Sequence, residues 1–102
     1  MSQKQLILVV DDEPEIRALL RRCFERDAFA VAEAMNSKEA RARIDDPALA
    51  LVTLDLTLGG EDGLELAREI RSRHNVPIIM ITGKGDTIDR VVGLELGADD
   101  YI

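Results

Sequence analysis

Three aspartates and one threonine each stand at the end of an apolar run in this chain. They are Asp11, Asp12, Asp55 and Thr82. If the three carboxylates converge, they raise one another's pKa unless a cation lies between them. Mg²⁺ suits such a set, because it prefers carboxylate oxygens and shares its coordination sphere with phosphate. A carboxylate beside Mg²⁺ can form an aspartyl phosphate, and a threonine hydroxyl can donate a hydrogen bond to the phosphoryl group.

Taken singly, each of these residues has an ordinary structural interpretation. The pair Asp11 and Asp12 could cap a helix, Asp55 could be a loop residue, and Thr82 could cap the end of a strand. Lys84 is a basic group near Thr82, and its position in the sequence indicates nothing more specific. Zinc is excluded, because one cysteine and one histidine provide no ligand spacing for it.

The apolar runs predict the strands that would position these side chains. Two are nearly continuous apolar runs typical of strands buried on both faces, and three others complete the predicted series. In chain order the predicted strands are Leu6–Val10, Phe29–Ala32, Leu49–Leu54, Val76–Ile81 and the start of a fifth at Asp99–Ile102. Because the carboxyl ends of parallel strands meet at one edge of a sheet, the reactive residues should lie together there.

Helical patterns separate the predicted strands. Their expected starting points are Pro14, Asn36, Asp62 and Asp86. The first helix carries an apolar stripe that includes Cys23, which is therefore predicted to be a core residue. The second has a capping box in Asn36 and Glu39 and should run to about Ile44, and the fourth should stop at Gly97. This alternation predicts an α/β fold with a doubly wound parallel sheet.

Composition narrows the class of protein. The 102 residues fit one domain, residues 1–102, and 46% of them are hydrophobic. Twenty acidic against 13 basic residues give a net charge of −7, which argues against nucleic-acid binding by this segment. The sequence contains no apolar run near the ~20 residues that cross a bilayer, so no membrane contact is expected. A single cysteine cannot form an internal disulfide, which favours the cytoplasm.

Five segments resemble the successive motifs of the receiver domains of bacterial two-component response regulators. They are Ile7–Glu13, Leu54–Leu56, Gly60–Gly63, Ile81–Gly83 and Gly97–Ile102, in the right order and spacing over nearly the whole chain. The later segments resemble the branch whose full-length members carry a winged-helix DNA-binding domain. The resemblance implies a flavodoxin-like (CheY-like) fold with strand order 2-1-3-4-5. It also implies a signalling domain rather than an enzyme.

The resemblance assigns roles to individual residues of the site. Asp55 would accept a phosphoryl group from a sensor histidine kinase. Mg²⁺ would be held by Asp12 directly, by Asp11 mainly through water, by Asp55 itself, and by the backbone carbonyl of Thr57.

It also implies a switch that follows phosphorylation. Thr82 would turn towards the phosphoryl group, and Tyr101 would follow from an outward to an inward rotamer. The face formed by the fourth helix and fifth strand would change as a result. Members of the family pair or engage an output domain through that face, so a homo-oligomer and control of transcription are expected.

The chain departs from the family pattern at two places. Gly59 stands where the family usually has proline, which is expected to loosen the loop after Asp55. The sequence ends at Ile102, before the family's invariant lysine and fifth helix, so a C-terminally shortened form that lacks most of the fifth strand is expected. The surface left without that helix is a second expected site of self-association.

Two other functions remain open at this point. The first is a degenerate receiver that serves only as a binding or dimerisation module, which the absence of the family's invariant lysine from this sequence favours. A haloacid-dehalogenase-like phosphatase also uses a strand-end aspartate with Mg²⁺. It requires a second aspartate two residues later, where this chain has Thr57.

Overall fold

The computed structural model describes residues 4–81 and the backbone of the short strand at 100–101. Strands and helices alternate along it. In chain order they are β1 Leu6–Val10, α1 Pro14–Arg26, β2 Ala30–Ala34, α2 Ser37–Arg41, β3 Leu49–Asp55, β4 Thr57–Leu58, β5 Glu61–Asp62, α3 Gly63–Arg73, β6 Ile78–Ile81 and β7 Asp100–Tyr101.

Five of the strands form one parallel sheet in the order β2-β1-β3-β6-β7. This confirms the predicted order 2-1-3-4-5, because the small antiparallel pair β4–β5 only shifts the numbering of the later strands. Val10 pairs with Leu54 and Asp55 pairs with Ile81, so β1, β3 and β6 end at the same edge. The residues that follow these strands therefore meet there.

Helices α2 and α3 pack on one face of the sheet and complete the main core. Its members include Leu8, Leu54 and Met80 from the strands and Ile70 from α3, all fully buried. Side chains alternate between the two faces along each strand. The intervening positions, such as Val9, therefore point to the opposite face, which carries α1.

The predicted helix starts are confirmed where the structure describes them. Pro14 is at the first position of α1. The Asn36 side chain accepts a hydrogen bond from the backbone N–H of Glu39 at 2.9 Å, and that of Asp62 accepts from Leu64 at 2.9 Å. These caps satisfy backbone N–H groups that have no partner within the helix.

Several predicted boundaries are wrong by a few residues. The second strand runs to Ala34 rather than Ala32, β6 begins at Ile78 rather than Val76, and α2 ends at Arg41. Ile44 follows α2 in a turn and is fully buried, so its apolar character reflects core packing rather than helix. The predicted fourth helix lies outside the described residues.

The prediction that Cys23 is a core residue is wrong, because its side chain is exposed. None of the residues of α1, all of which the structure describes, is buried, and Leu19 is 48% exposed. The helix has the predicted apolar stripe, but its contact with the sheet only half-buries residues such as Ile16 and Phe24. Across the described part of the chain, no helix is long and apolar enough to cross a membrane.

Candidate acidic site at the carboxyl edge of the sheet

Asp11, Asp12 and Asp55 meet at the carboxyl edge of the sheet. One carboxylate oxygen of each lies within 4.8 Å of the others. Asp11 is 4% exposed, and the other two aspartates are half-buried. The predicted convergence of the three carboxylates is therefore correct.

Two of the carboxylates are oriented by the turns that follow their strands. The Asp11 Oδ1 atom accepts a hydrogen bond from the backbone N–H of Glu13 at 2.9 Å. The Asp55 Oδ1 atom accepts one from the backbone N–H of Thr57 at 3.1 Å. In both cases an aspartate binds the N–H two residues later, a geometry that Asp favours after a strand. Each keeps its second oxygen for other partners.

Burial and neighbouring charge raise the pKa of two of these carboxyl groups, those of Asp11 and Asp55. Burial is the largest cause for Asp55 and raises its pKa to about 6; the Asp11 and Asp12 carboxyls add to this effect, and the Thr57 N–H opposes it. Burial also raises the pKa of Asp11, against the hydrogen bond from Glu13. The charged cluster is thus unfavourable without a counter-charge. An all-oxygen set with three carboxylates fits a hard divalent cation such as Mg²⁺.

A small cleft of about 170 Å³ opens beside the carboxylates. Its lining residues include Asp11, Asp55, Thr57, Ile16 and Ile81. Pockets for drug-sized ligands and cofactors usually have about 300–1,000 Å³. The cleft therefore suits a small group such as phosphoryl.

The segment after Asp55 is a hairpin rather than the loose loop that Gly59 was expected to produce. Strands β4 and β5 pair across a two-residue turn, with φ of 53° at Gly59 and 89° at Gly60. Positive φ at both central residues is the requirement of a type I′ hairpin turn. Proline cannot adopt this φ, so glycine at position 59 is what allows the hairpin to close.

The hairpin is closed at its base and tied to a helix. The Gly63 N–H donates to the carbonyl of Leu56 at 3.1 Å, and a Cβ at Gly63 would overlap the carbonyl oxygen of Asp55. The Glu61 carboxylate accepts hydrogen bonds from the backbone N–H of Ser37 at 3.0 Å and from the Ser37 hydroxyl. These contacts hold the segment that carries Thr57.

The structure describes only part of the predicted site. The Thr57 carbonyl accepts a hydrogen bond from the Gly59 N–H at 3.1 Å and retains a second lone pair. Thr82 and Lys84 lie outside the described residues. The structure describes only the backbone of Tyr101, which belongs to β7 and pairs with Met80.

Sequence reasoning missed Arg17, which lies on α1 and contacts the site. Its Nη1 atom donates a hydrogen bond to the backbone carbonyl of Asp11 at 2.7 Å, and its Nε atom to Glu33 at 3.1 Å. A sequence signal existed in Arg17 and Arg21, which lie four residues apart and hence on one face of α1. Their partner Glu33 is on β2, so the contact follows from the tertiary arrangement.

Comparison with known proteins agrees with this geometry. The family model of the response regulator receiver domain matches residues 7–102. The chain is 50% identical over 96 residues to the transcriptional regulatory protein ResD of Bacillus subtilis, covering 94% of this chain and 40% of ResD. It is 47% identical to the transcriptional regulatory protein AruR of Pseudomonas aeruginosa, covering 100% of this chain and 44% of AruR. The chain thus spans less than half the length of these relatives.

A solved structure shares the fold closely. It is a response regulator from Burkholderia pseudomallei crystallised with a phosphorylated aspartic acid, a calcium ion and citrate. Its TM-score is 0.90 at 30% identity, over 96% of this chain and 58% of that one. The predicted resemblance to transcription regulators agrees with the names of ResD and AruR. The chain belongs to the response regulator receiver domain family, whose members are signalling domains rather than enzymes.

Proposed function

We propose that this chain is a phosphorylation switch in which Asp55 accepts a phosphoryl group from a sensor histidine kinase. The observation that carries the proposal is the set of three carboxylates within 4.8 Å beside a small cleft. The phosphorylated aspartic acid of the Burkholderia pseudomallei relative supports the same chemistry at a matching fold.

In the proposed reaction, a carboxylate oxygen of Asp55 attacks the phosphorus of a phosphohistidine. A new O–P bond forms as the N–P bond breaks, and the leaving imidazole nitrogen keeps the bonding pair and takes up a proton. The Thr57 N–H occupies Asp55 Oδ1 and orients the carboxylate. With a pKa of about 6, most of the Asp55 carboxyl is ionised at neutral pH and able to attack.

Asp11, Asp12, Asp55 and the Thr57 carbonyl are the proposed ligands of Mg²⁺. When bound, the ion supplies positive charge to the clustered carboxylates and to the oxygens of the phosphoryl group. The donor set supports this choice, because all of its atoms are oxygens and the Asp11 and Asp12 carboxyls help to raise the pKa of Asp55. The Burkholderia pseudomallei structure, which has the same fold, contains a calcium ion, and Ca²⁺ is a hard cation like Mg²⁺.

Thr82 and Tyr101 are the proposed switch residues. The Thr82 hydroxyl would donate to the phosphoryl group, and Tyr101 would move inward with it. Support comes from the position of Thr82 directly after β6 and of Tyr101 within β7, which is adjacent to β6. The change would be a shift between two populations of one fold, driven by contacts that exist only in the phosphorylated state.

The proposed partners are a sensor histidine kinase and a second copy of this chain, in the cytoplasm, with transcription as the output. The regulators ResD and AruR support the output, although this chain spans 40% and 44% of them. Self-association through the face of the fourth helix and β7 stays a prediction. Sedimentation velocity at tens of micromolar tests it, and a monomer there would contradict it.

The experiment that tests the proposed function measures intact mass after incubation with acetyl phosphate and Mg²⁺. We expect one added phosphoryl group on the wild type, and none without metal or in Asp55→Asn. Asp62→Asn is the matched control, because Asn caps α3 as well as Asp does. An Asp55→Asn variant that still gains the group would overturn the assignment. Mg²⁺ binding without an adduct would instead favour the binding-only module.

A further inference from the structure

Helix α1 presents two arginines to one glutamate on the edge strand β2. The Arg17 Nε atom lies 3.1 Å from Glu33 Oε1, and the Arg21 Nε atom lies 2.6 Å from Glu33 Oε2. The arginines are one helical turn apart, so both reach the same carboxylate. They lower the pKa of Glu33, with Arg21 as the largest cause, and the carboxylate therefore stays ionised at neutral pH.

The two arginines differ in where their remaining donors go. Arg17 Nη1 donates to the backbone carbonyl of Asp11 at 2.7 Å. Arg21 donates to Glu25 at 3.0 Å and to the carbonyl of Val31 at 3.2 Å. Arg17 therefore connects Glu33 to the acidic site, whereas Arg21 fastens α1 to β2. The Arg17 side chain is also the less exposed of the two, at 16% against 37%.

The carbonyl that Arg17 binds belongs to the peptide bond between Asp11 and Asp12. The neighbouring groups are already committed: the Asp11 N–H donates to Ala34 and its Oδ1 accepts from Glu13. The preceding peptide and the Asp11 side chain are thus held by β2 and by the following turn, and Arg17 on the carbonyl holds the Asp11–Asp12 peptide itself. Since a planar peptide links the two Cα atoms, the orientation of this peptide sets where the Asp11 and Asp12 carboxylates stand relative to each other.

We propose that Arg17 is a positioning residue for the acidic site, with Glu33 holding its guanidinium so that the Asp11–Asp12 peptide is correctly oriented for the cation. The inference deepens the proposed function and rests on it for the identity of the cation. Planar guanidinium suits the task, because one plane supplies donors to Glu33 and to the carbonyl at fixed separation. The ammonium group of lysine lacks this geometry.

The positive charge of Arg17, considered by itself, would weaken Mg²⁺ binding rather than support it. A guanidinium near the carboxylates repels a divalent cation, so removal of Arg17 would tighten Mg²⁺ binding if repulsion were its main effect. If positioning dominates, removal weakens binding, as is common for residues that orient metal ligands. Arg17→Lys separates the two, because it keeps the charge and loses the planar fork.

The test measures the Mg²⁺ dissociation constant of the full chain by calorimetry, with urea unfolding for stability. The variants are Arg17→Met, Arg17→Lys and the matched control Arg21→Met, which loses a contact to the same Glu33. We expect the Arg17 variants to bind Mg²⁺ about tenfold more weakly. Arg21→Met should stay within about twofold of wild type although it also lowers stability. Equal losses in Arg17→Met and Arg21→Met, or tighter binding by Arg17→Met, would overturn the proposal.

A second readout needs no metal and separates this inference from the proposed function. Hydrogen exchange of the Glu13 amide, which donates to Asp11 Oδ1, should accelerate in Arg17→Lys and not in Arg21→Met. Unchanged exchange in Arg17→Lys would count against positioning even if Asp55 is phosphorylated. If the wild type gains no phosphoryl group but the Glu13 amide exchanges as expected in the variants, the result would count against the proposed function alone.

Discussion

The two segments that supply the carboxylates are held in place by different kinds of contact. Asp11 and Asp12 belong to the turn between β1 and α1, which is held by the Arg17 guanidinium and, through it, by Glu33. Asp55 leads into the β4–β5 hairpin, whose shape depends on glycine backbone geometry at Gly59, Gly60 and Gly63.

The two segments approach each other where the tip of the hairpin lies near Asp12. A Cβ at Gly59 would lie 3.5 Å from Asp12 Oδ2, within ordinary contact distance. The strength of side-chain ion pairs depends on salt and pH, whereas the conformation of a backbone turn depends mainly on which residues occupy it. The hairpin should therefore lose more stability on substitution than the turn that carries Asp11 and Asp12. The first segment should be the more responsive to solution conditions.

Gly63→Ala should produce the largest effect. The added Cβ would overlap the carbonyl oxygens of Asp55 and Leu56, so backbone has to move. We expect a loss of about 3 kcal/mol in the free energy of unfolding, measured with urea. The matched control is Gly60→Ala, where no atom lies within 4 Å of the new Cβ and only the positive φ costs about 1 kcal/mol. Similar losses of stability in both variants would contradict steric overlap of the added Cβ as the cause.

Gly59→Pro should have the second-largest effect on stability, although it restores the residue usual in the family. Proline requires φ near −65° and has no N–H, while Gly59 has φ of 53° and donates to Thr57. We expect a loss of about 2 kcal/mol in urea unfolding. A neutral or stabilising result would mean that the hairpin turn is not needed by this chain.

Asp55→Asn should stabilise the metal-free protein at pH 7. The folded pKa of Asp55 is raised to about 6 from its usual 3.8, so the wild type gains stability as the pH falls from 7 towards 4. The full shift corresponds to about 3 kcal/mol, and partial solvent contact reduces the expected gain to about 1–2 kcal/mol. Urea unfolding with a chelator at pH 7 and pH 4 measures it, and the gain should vanish at pH 4. Asp11→Asn should shift stability in the same direction, because burial raises that pKa also. A gain independent of pH would contradict the electrostatic origin.

Glu61→Gln should give the smallest effect, confined to the hairpin. The Glu61 carboxylate accepts from both donors of Ser37, and these hydrogen bonds lower its pKa. A neutral amide accepts more weakly, so hydrogen exchange of the Ser37 amide should accelerate while global unfolding stays nearly unchanged. Glu65→Gln on the exposed side of α3 is the control. Unaltered Ser37 exchange would show that Glu61 does not hold the hairpin.

Much of the site could be predicted because it depends on strand ends. Leu6–Val10 and Leu49–Leu54 are nearly continuous apolar runs typical of a strand covered on both faces, and the aspartates follow them directly. Parallel pairing then places Asp11, Asp12 and Asp55 at one edge, as observed. The predicted roles of Thr82 and Tyr101 rest on family resemblance.

Other features could not be predicted, since local patterns do not specify which surfaces meet. The apolar stripe of α1 predicted burial for Cys23, yet exposure depends on what packs against the helix, and the side chain is exposed. The glycines at 59 and 60 predicted a loop and could not distinguish it from a paired turn.

The sequence by itself determined the alternation of strands and helices and the position of three aspartates at strand ends, because hydrophobic periodicity depends on residues near in the chain. The strand order was predicted from the family resemblance, and the sheet confirms it. The tertiary structure alone decided how those carboxylates are held. Arg17 and Glu33 are 16 residues apart, and Ser37 and Glu61 are 24 apart. Contacts at such separations form only once the sheet has brought their elements together, so nothing in the local sequence identifies them.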